Sequence, residues 1–396
     1  MTPADPPAKE VALVHCRTYN EAQVYAAVER AVDLLGGVGA FVPRGSRVLL
    51  KPNLLMGAVP GRAVTTHPAV VKAVARLLAD HGCTVVIADS PGAGTLYTRR
   101  NLEKAYEKCG FTGATGIPGV SLSTATSSRT VPFPEGEVMK RFSIIDAALD
   151  ADAIVVVSKA KTHLFTGYSG AVKNLFGVIP GLEKPVFHAR FRDPQEFAGM
   201  LLDLNTLVRP SLQVMDAVVG MEGDGPMSGS PRPIGAVLAS ADPTAVDIVT
   251  SRLMGMEPAE IGTISGAAKR GWVRPDFRDV RVTGDDPAAV TVSDFRKAST
   301  HPAAPAVPFI NRQILSFLQR RGTEIRPKPV PDPERCTGCG RCARACPVDA
   351  ISIEEGMAVI DESACIRCYC CHEMCENRAI GLRQGLAEKI ISALLR

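Results

Sequence analysis

Two cysteine runs constrain this chain more than anything else in it. The first reads Cys336-x-x-Cys339-x-x-Cys342-x-x-x-Cys346-Pro347 and the second Cys365-x-x-Cys368-x-x-Cys371-x-x-x-Cys375. Three closely spaced thiolates on a tight turn aim at three irons of one cube, and a fourth, carried off by a short helix, reaches the neighbouring cube. The spacing therefore predicts two [4Fe-4S] clusters with crossed ligation. Cys336, Cys339, Cys342 and Cys375 belong to one, and Cys365, Cys368, Cys371 and Cys346 to the other. Zinc also takes thiolates, but its sites pair two short arms and have no use for a third and fourth cysteine repeated in both runs. Cys375 is followed by Glu376 where the first run has Pro347, which puts a negative charge beside a cluster and tends to lower its potential. Cys370 is an extra thiol read as a non-ligand, and residues 350–361 read as a hairpin between the runs.

The rest of the chain is ordinary by comparison. Nine of the 12 cysteines fall in residues 336–375, so the 396-residue chain is not a disulfide scaffold. With 46% apolar and 22% charged residues it can bury a large core beside a small metal-dependent one. The net charge of +4, with no basic block, argues against nucleic acid. MTPADPPAKE lacks a basic segment leading into an apolar one, and no run reaches a membrane-spanning length; the expectation is a cytoplasmic protein without a transmembrane segment.

Period-2 apolar runs alternate with amphipathic stretches. Strands are expected at 11–16, 47–51, 84–89, 153–158, 212–220 and 233–240, with helices at 21–35, from 68 to about 81, and after Pro243. The opening βαβαβ pattern predicts an α/β domain with a mostly parallel sheet and flanking helices, over residues 1–298. Residues 111–145 read as a lid or a small β excursion. Residues 299–330 read as a linker with a docking helix at 309–321, and 331–382 as a small α+β cluster-binding domain. Residues 383–396 read as an amphipathic helix, with Leu386, Ile390 and Leu394 on one face. The small domain carries 9 acidic and 5 basic residues, net −4, leaving +8 for the remainder, so the two have charges suited to docking.

Several expected strands end in polar residues, where an open α/β sheet forms its ligand crevice. These are Lys51 and Asn53, Thr66 and His67, Asp89 and Ser90, Lys161 and His163, and Lys173 and Asn174. Lys159 to His163 are expected in a loop after the strand 153–158. Lys51, Asn53, Ser90, Lys161, Lys173 and Asn174 are the candidates for binding an anion, and His67 or His163 for moving a proton. The plainer alternatives are that Thr66 with Pro68, and Asp242 with Pro243, cap helices. His67, His163 and His188 with Asp89 or Glu222 could instead hold a mononuclear metal. No G-x-G-x-x-G follows the first strand, and no P-loop or G-x-S-x-G motif occurs.

KPNLL (51–55), TTHPAVVKAV (65–74), VVIADSPG (85–92), SKAKTHLFTGYSGAVKNLFGVIPG (158–181), MEGDGP (221–226) and SADPTAVD (240–247) together resemble the domain of unknown function 362 family over residues 10–260. Members of that family are often joined to a C-terminal 2[4Fe-4S] ferredoxin, the arrangement the cysteine runs indicate. The resemblance implies an iron-sulfur protein and assigns no catalyst. Three functions fit. The first is an oxidoreductase that passes low-potential electrons, exchanged with a donor or acceptor protein, to an anionic small molecule or bound cofactor in the crevice. The second is a non-catalytic electron carrier or a metal or cluster maturation factor. The third is a non-redox enzyme with structural or sensory clusters.

Overall fold

The computed structural model describes residues 9–92, 94–300 and 326–383. The docking helix expected at 309–321 and the C-terminal helix at 383–396 lie outside the described residues, apart from Arg383.

The strands of the large domain are β1 (Lys9–His15), β2 (Arg47–Pro52), β3 (Thr84–Ile87), β4 (Val120–Leu122), β5 (Ser128–Pro132), β6 (Arg141–Ile145), β7 (Ala153–His163), β8 (Gly167–Tyr168), β9 (Leu212–Glu222), β10 (Ser230–Ser240) and β11 (Val280–Gly284). Its main sheet runs β11-β1-β10-β9-β7-β2-β3-β4. Along this path only β10 runs against its neighbours, β9 and β1; off it, the short β8 pairs antiparallel with β7. A short loop joins β9 to β10, and such a connection can only reverse the chain, whereas parallel pairs need a crossover. The crossovers are helices, among them Glu21–Asp33, Pro68–Asp80, Arg99–Cys109 and Pro194–Val208. β1 lies in the same sheet as β2 but is separated from it by β10, β9 and β7.

Helices cover both faces of the sheet, which is why its central strands read as unbroken apolar runs. In β2, Val48 and Leu50 enter one core while Leu49 enters the other; in β7, Val155 and Val157 go one way and Ile154 and Val156 the other. Asp242 caps the helix Pro243–Leu253 by accepting from Ala245 N. The 111–145 segment contains the β5–β6 hairpin, a two-stranded excursion from the main sheet.

The loop expected at Lys159–His163 is strand. β7 continues through all five residues and pairs with β9 and β8, every one of them buried. Lys159, Lys161 and His163 continue the odd-numbered face of Val155 and Val157, so the strand itself carries three ionisable side chains to its C-terminal end.

In the cysteine module, β12 (Lys328–Pro331) pairs with β15 (Ile380–Arg383), and β13 (Ile351–Glu354) with β14 (Met357–Ile360). Its framework therefore begins at Lys328, ahead of the expected boundary at 331, and takes in Arg383, because the chain on either side of the cysteine runs closes into one antiparallel pair. The two runs repeat each other's backbone. Left-handed residues occur at Gly338, Gly340 and Asp349 in the first and at the equivalent Arg367, Tyr369 and Arg378 in the second. Short helices follow at Arg341–Ala345 and Cys370–Glu373.

The module packs on the C-terminal rim of the large sheet. Met56, Ala58, Ala63, Val64, Met221 and Met227 form one apolar cluster with Ala345, Cys368, Cys370 and Met374. Gly94 (φ 83°) permits the approach: a Cβ there would stand 3.0 Å from Arg341 O and 3.3 Å from Met374 Cγ. At the edge, Glu376 pairs with Lys108 of the large domain at 3.2 Å and with Arg341 at 2.7 Å.

Candidate functional site

The cysteines fall into two groups. Cys346, Cys365, Cys368, Cys370 and Cys371 line one small cavity, with Pro329, Ile351 and Tyr369 among its apolar walls. Cys342 lies within electrostatic reach of Cys375, Cys339 and Cys336. Cys370 apart, each group takes three residues from one run and the last cysteine of the other. Backbone N–H groups already point at the sulfurs: Ala350 N donates to Cys346 Sγ (3.2 Å), Ala379 N to Cys375 Sγ (3.1 Å) and Ala358 N to Cys336 Sγ (3.4 Å). All eight thiols are free of disulfides. Thiolate donors, paired runs and N–H groups on sulfur fit cubane clusters, and Cys339 is exposed whereas Cys368 and Cys371 are buried. Cys370 is also buried; its thiol hydrogen-bonds Cys368, and it faces the large domain's apolar cluster.

Beside the buried group, the large domain contributes a network of lysines and asparagines. Lys161 Nζ donates to Asn53 Oδ1 (2.8 Å) and Val64 O (2.7 Å). Asn53 Nδ2 donates to Asn174 Oδ1 (3.1 Å), which also accepts from Lys51 Nζ (3.3 Å). Lys51 forms an ion pair with Asp89 at 3.1 Å, both side chains essentially without exposure. Strands β2 and β7 and the turn Ala171–Asn174 thus bring Lys51, Asn53, Lys161 and Asn174 together.

Counting donors separates those that hold the site from those that can act in it. An ammonium has three N–H groups. Lys51 spends its three on Asp89, Asn174 and Pro52 O. Asn174 Nδ2 is turned to Val157 O and Ser158 Oγ. Lys161 has one N–H left. Lys173 has, among the described residues, no hydrogen bond or ion pair, only the Phe176 ring 6.0 Å from Nζ. Burial pulls the Lys161 ammonium down to about 7, with Lys173 adding to the effect and Glu373 opposing it. Lys173 is lowered too, first by burial, against the attraction of Glu373 and Cys370.

Glu373, from the cysteine module, is the residue that sequence reasoning missed. Its Oε1 lies 3.2 Å from His163 Nε2, yet the two are not aligned as a hydrogen bond, and neither atom has another partner among the described residues. His163 Nδ1 accepts from Phe165 N (3.1 Å) and Thr166 N (3.4 Å), so Nε2 carries the proton of the neutral ring. Burial holds His163 well below its ordinary range, helped by Lys173; it pushes Glu373 up to about 7 against the pull of Lys173 and Lys161. The contact is therefore not a simple ion pair. The available signal was a carboxylate inside a cysteine run, at a position whose neighbours Cys371 and Met374 are core residues.

Four sequence expectations need correction. His67 is not at this site: its Nδ1 accepts from Ala69 N as a helix cap, and its ring stacks on Tyr19 at 3.5 Å, beside the Lys159–Asp216 pair. His67 rather than Thr66 caps that helix. Thr66 Oγ1 instead accepts from Asn53 N and donates to Val157 O, tying β2 to β7. Ser90 is held by Lys184, whose Nζ donates to Ser90 O, Ser90 Oγ and Pro91 O, and no contact joins it to the Lys161–Asn53–Asn174 network among the described residues. The suggested mononuclear metal set is dispersed as well. Glu222 binds Arg296 at 2.8 Å and Asp89 binds Lys51. Among the described residues no three His, Cys, Asp or Glu side chains gather about a single metal position.

An α/β domain whose crevice is roofed by a two-run cysteine module defines the chain as an iron-sulfur protein. The family described as domain of unknown function (DUF362) matches residues 48–252, and a 4Fe-4S binding domain matches residues 329–352. The chain belongs to the DUF362 family. A thylakoid-associated protein of Synechocystis is 31% identical over 289 residues, 73% of this chain and 87% of that one. Among solved structures, the lactate racemase apoprotein of Thermoanaerobacterium thermosaccharolyticum aligns with 13% identity and a TM-score of 0.36. It covers 61% of this chain and 56% of that one. A Thermotoga maritima protein aligns with 14% identity and a TM-score of 0.37, over 58% and 57%. The chain thus spans under two thirds of either solved structure. No helix among the described residues is long and apolar enough to cross a membrane.

Proposed function

We propose that the protein is an electron-transferring oxidoreductase that acts on a small anion at the junction of its two domains. Cys336, Cys339, Cys342 and Cys375 would hold one [4Fe-4S] cluster, and Cys365, Cys368, Cys371 and Cys346 the other. When bound, the clusters supply single electrons at low potential. The observation that carries the reading is the position of Glu373. The cysteine helix that bears it closes over Lys161, Lys173 and His163, so the buried cysteine group sits next to the cationic end of β7.

Lys173, with three donors to give, and Lys161, with one, attract the anion. Lys51, Asn53 and Asn174 act as positioning residues that fix Lys161. His163 holds a proton at Nε2 toward the junction. The module excludes water, which strengthens each of these interactions. The exposed Cys339 end would meet a low-potential carrier protein in the cytoplasm.

The test is anaerobic. Photoreduced protein is mixed with a panel of small carboxylates and phosphates, and recovery of the clusters' visible absorbance is followed. At least one compound should reoxidise the protein over repeated turnovers, and Lys173→Met should abolish this while retaining about eight irons. If no small anion reoxidises it, and it instead forms a stoichiometric complex with an electron-carrier protein, the carrier reading replaces this one.

A further inference from the structure

Buried polar atoms in a folded protein nearly always have partners, and each exception calls for a reason. Two such atoms without a hydrogen-bond partner among the described residues, His163 Nε2 and Glu373 Oε1, meet at this junction, and two more, His188 Nδ1 and His372 Nδ1, belong to rings within electrostatic reach of His163. His163 and His188 are 0% and 4% exposed, His372 and Glu373 4% and 7%. Lys173 lies within electrostatic reach of His163, His188 and Glu373, and His163 within reach of His188 and His372. His188 is walled by aromatic rings, with Phe197 at 4.6 Å, Phe165 at 5.1 Å and Phe176 at 6.2 Å between centroids. Burial keeps His188 near 3, so its imidazole is a neutral hydrogen-bonding group.

Donor count narrows the occupant. The two lysines offer four free N–H donors, three from Lys173 and one from Lys161, a number that the two oxygens of one carboxylate can take up. Lys173 and the spare N–H of Lys161 are donors for the anionic end. His163 Nε2–H and Glu373 Oε1, 3.2 Å apart, offer a donor and an acceptor to one further oxygen. The aromatic wall suits a short carbon skeleton. Lys173 retains partial exposure.

We propose that the junction is a binding site for a small monocarboxylate bearing a second oxygen group, a hydroxyl or carbonyl. Lys173 and Lys161 take its carboxylate, and His163 with Glu373 recognises the second oxygen. This rests on the oxidoreductase reading only for its biological meaning, because binding can be measured without turnover.

The experiment is anaerobic titration calorimetry of the oxidised, cluster-loaded full chain with acetate, glycolate and inorganic phosphate. Glycolate should bind at least about tenfold tighter than acetate, roughly 1.4 kcal/mol, and tighter than phosphate. Lys173→Met should remove binding of both carboxylates with the visible cluster absorbance unchanged. Glu373→Gln and His163→Gln should each reduce the glycolate-to-acetate ratio. Equal affinity for acetate and glycolate, preference for phosphate, or no heat with any of the three overturns the inference, and these wild-type comparisons stand even if a variant fails to fold. Selective glycolate binding without electron transfer keeps this inference and removes the oxidoreductase reading. Reoxidation by compounds that carry no carboxylate does the reverse.

Discussion

Gly177→Ala probes how far the site depends on the buried Lys51–Asp89 pair. A Cβ at Gly177 would overlap Asp89 Oδ1 and stand 2.5 Å from Lys51 Nζ and 2.8 Å from its Cε. Neither side chain has room to retreat. Asp89 also accepts from Leu54 N (2.9 Å) and Ser90 N (2.8 Å), and Lys51 donates to Asn174. The Gly177 backbone itself is pinned, since its carbonyl accepts from Ser90 N at 2.9 Å. Either the pair separates or the 174–181 segment shifts. Breaking a buried pair so that its charges are left uncompensated costs about 3 to 5 kcal/mol. For a domain of this size that corresponds to a fall in Tm of roughly 5 to 15 °C. The assay is a thermal melt by far-ultraviolet circular dichroism at one scan rate, because a cluster-bearing protein is expected to unfold irreversibly. Gly116→Ala is the control, since a Cβ there meets nothing within 4 Å. If the two variants melt within about 1 °C of each other, the close approach at Gly177 is not what holds the pair, and the reasoning fails.

Other expectations are more local. Cys346→Ser should damage the cluster served by Cys365, Cys368 and Cys371 and spare its own run's cluster; spectra that resolve the two and show the opposite would overturn the crossed assignment. Cys370→Ala should retain about eight irons, whereas Cys371→Ala should lose or convert one cluster. Equal loss in both would mean that Cys370 is a ligand. Lys184 is drawn down to about 7 by burial, against the attraction of Asp89. Its folded pKa thus lies below the unfolded value near 10.4, so the unfolded chain binds more protons between them. Its contribution to stability is fully present above the unfolded pKa and is lost as pH falls toward 7. Relative to Lys184→Met, the wild type should therefore gain stability from about pH 7 to about pH 9 by up to about 1 kcal/mol per pH unit in denaturant titrations. A difference that does not vary with pH would refute the shift.

What the sequence could carry follows from where each signal is stored. The metal module was legible because its chemistry is written in spacing, and the main sheet because burial on both faces leaves runs such as Ile154 to Val157 in plain apolar letters. β7 was cut short because its last stretch is spelled Lys159-Ala160-Lys161-Thr162-His163. The period of two persists there, but polar residues carry it, and it makes structural sense only once Asp216, Asn53 and Glu373 are known to face Lys159, Lys161 and His163. Roles within the site were less legible still. Lys51 and Lys173 are the same residue type at expected strand or loop ends, and only three-dimensional donor counting separates a lysine fully spent on Asp89, Asn174 and Pro52 from one with no such partner among the described residues.

The opposite net charges of the two domains foretold the sign of their contact but not its address. Total charge includes solvated groups that contribute little to docking. Two acidic residues of the module meet the large domain in different ways. Glu376 meets Lys108 at the rim, where both side chains are partly exposed. Glu373 is buried against Lys161, Lys173 and His163, where attraction is less screened but desolvation is also greatest. A contact designed only for adhesion gains little from burying a carboxyl with an unpartnered oxygen. The arrangement makes physical sense if Glu373 is held there for a ligand, which is why its substitution should affect selectivity between glycolate and acetate more than it affects the joining of the two domains.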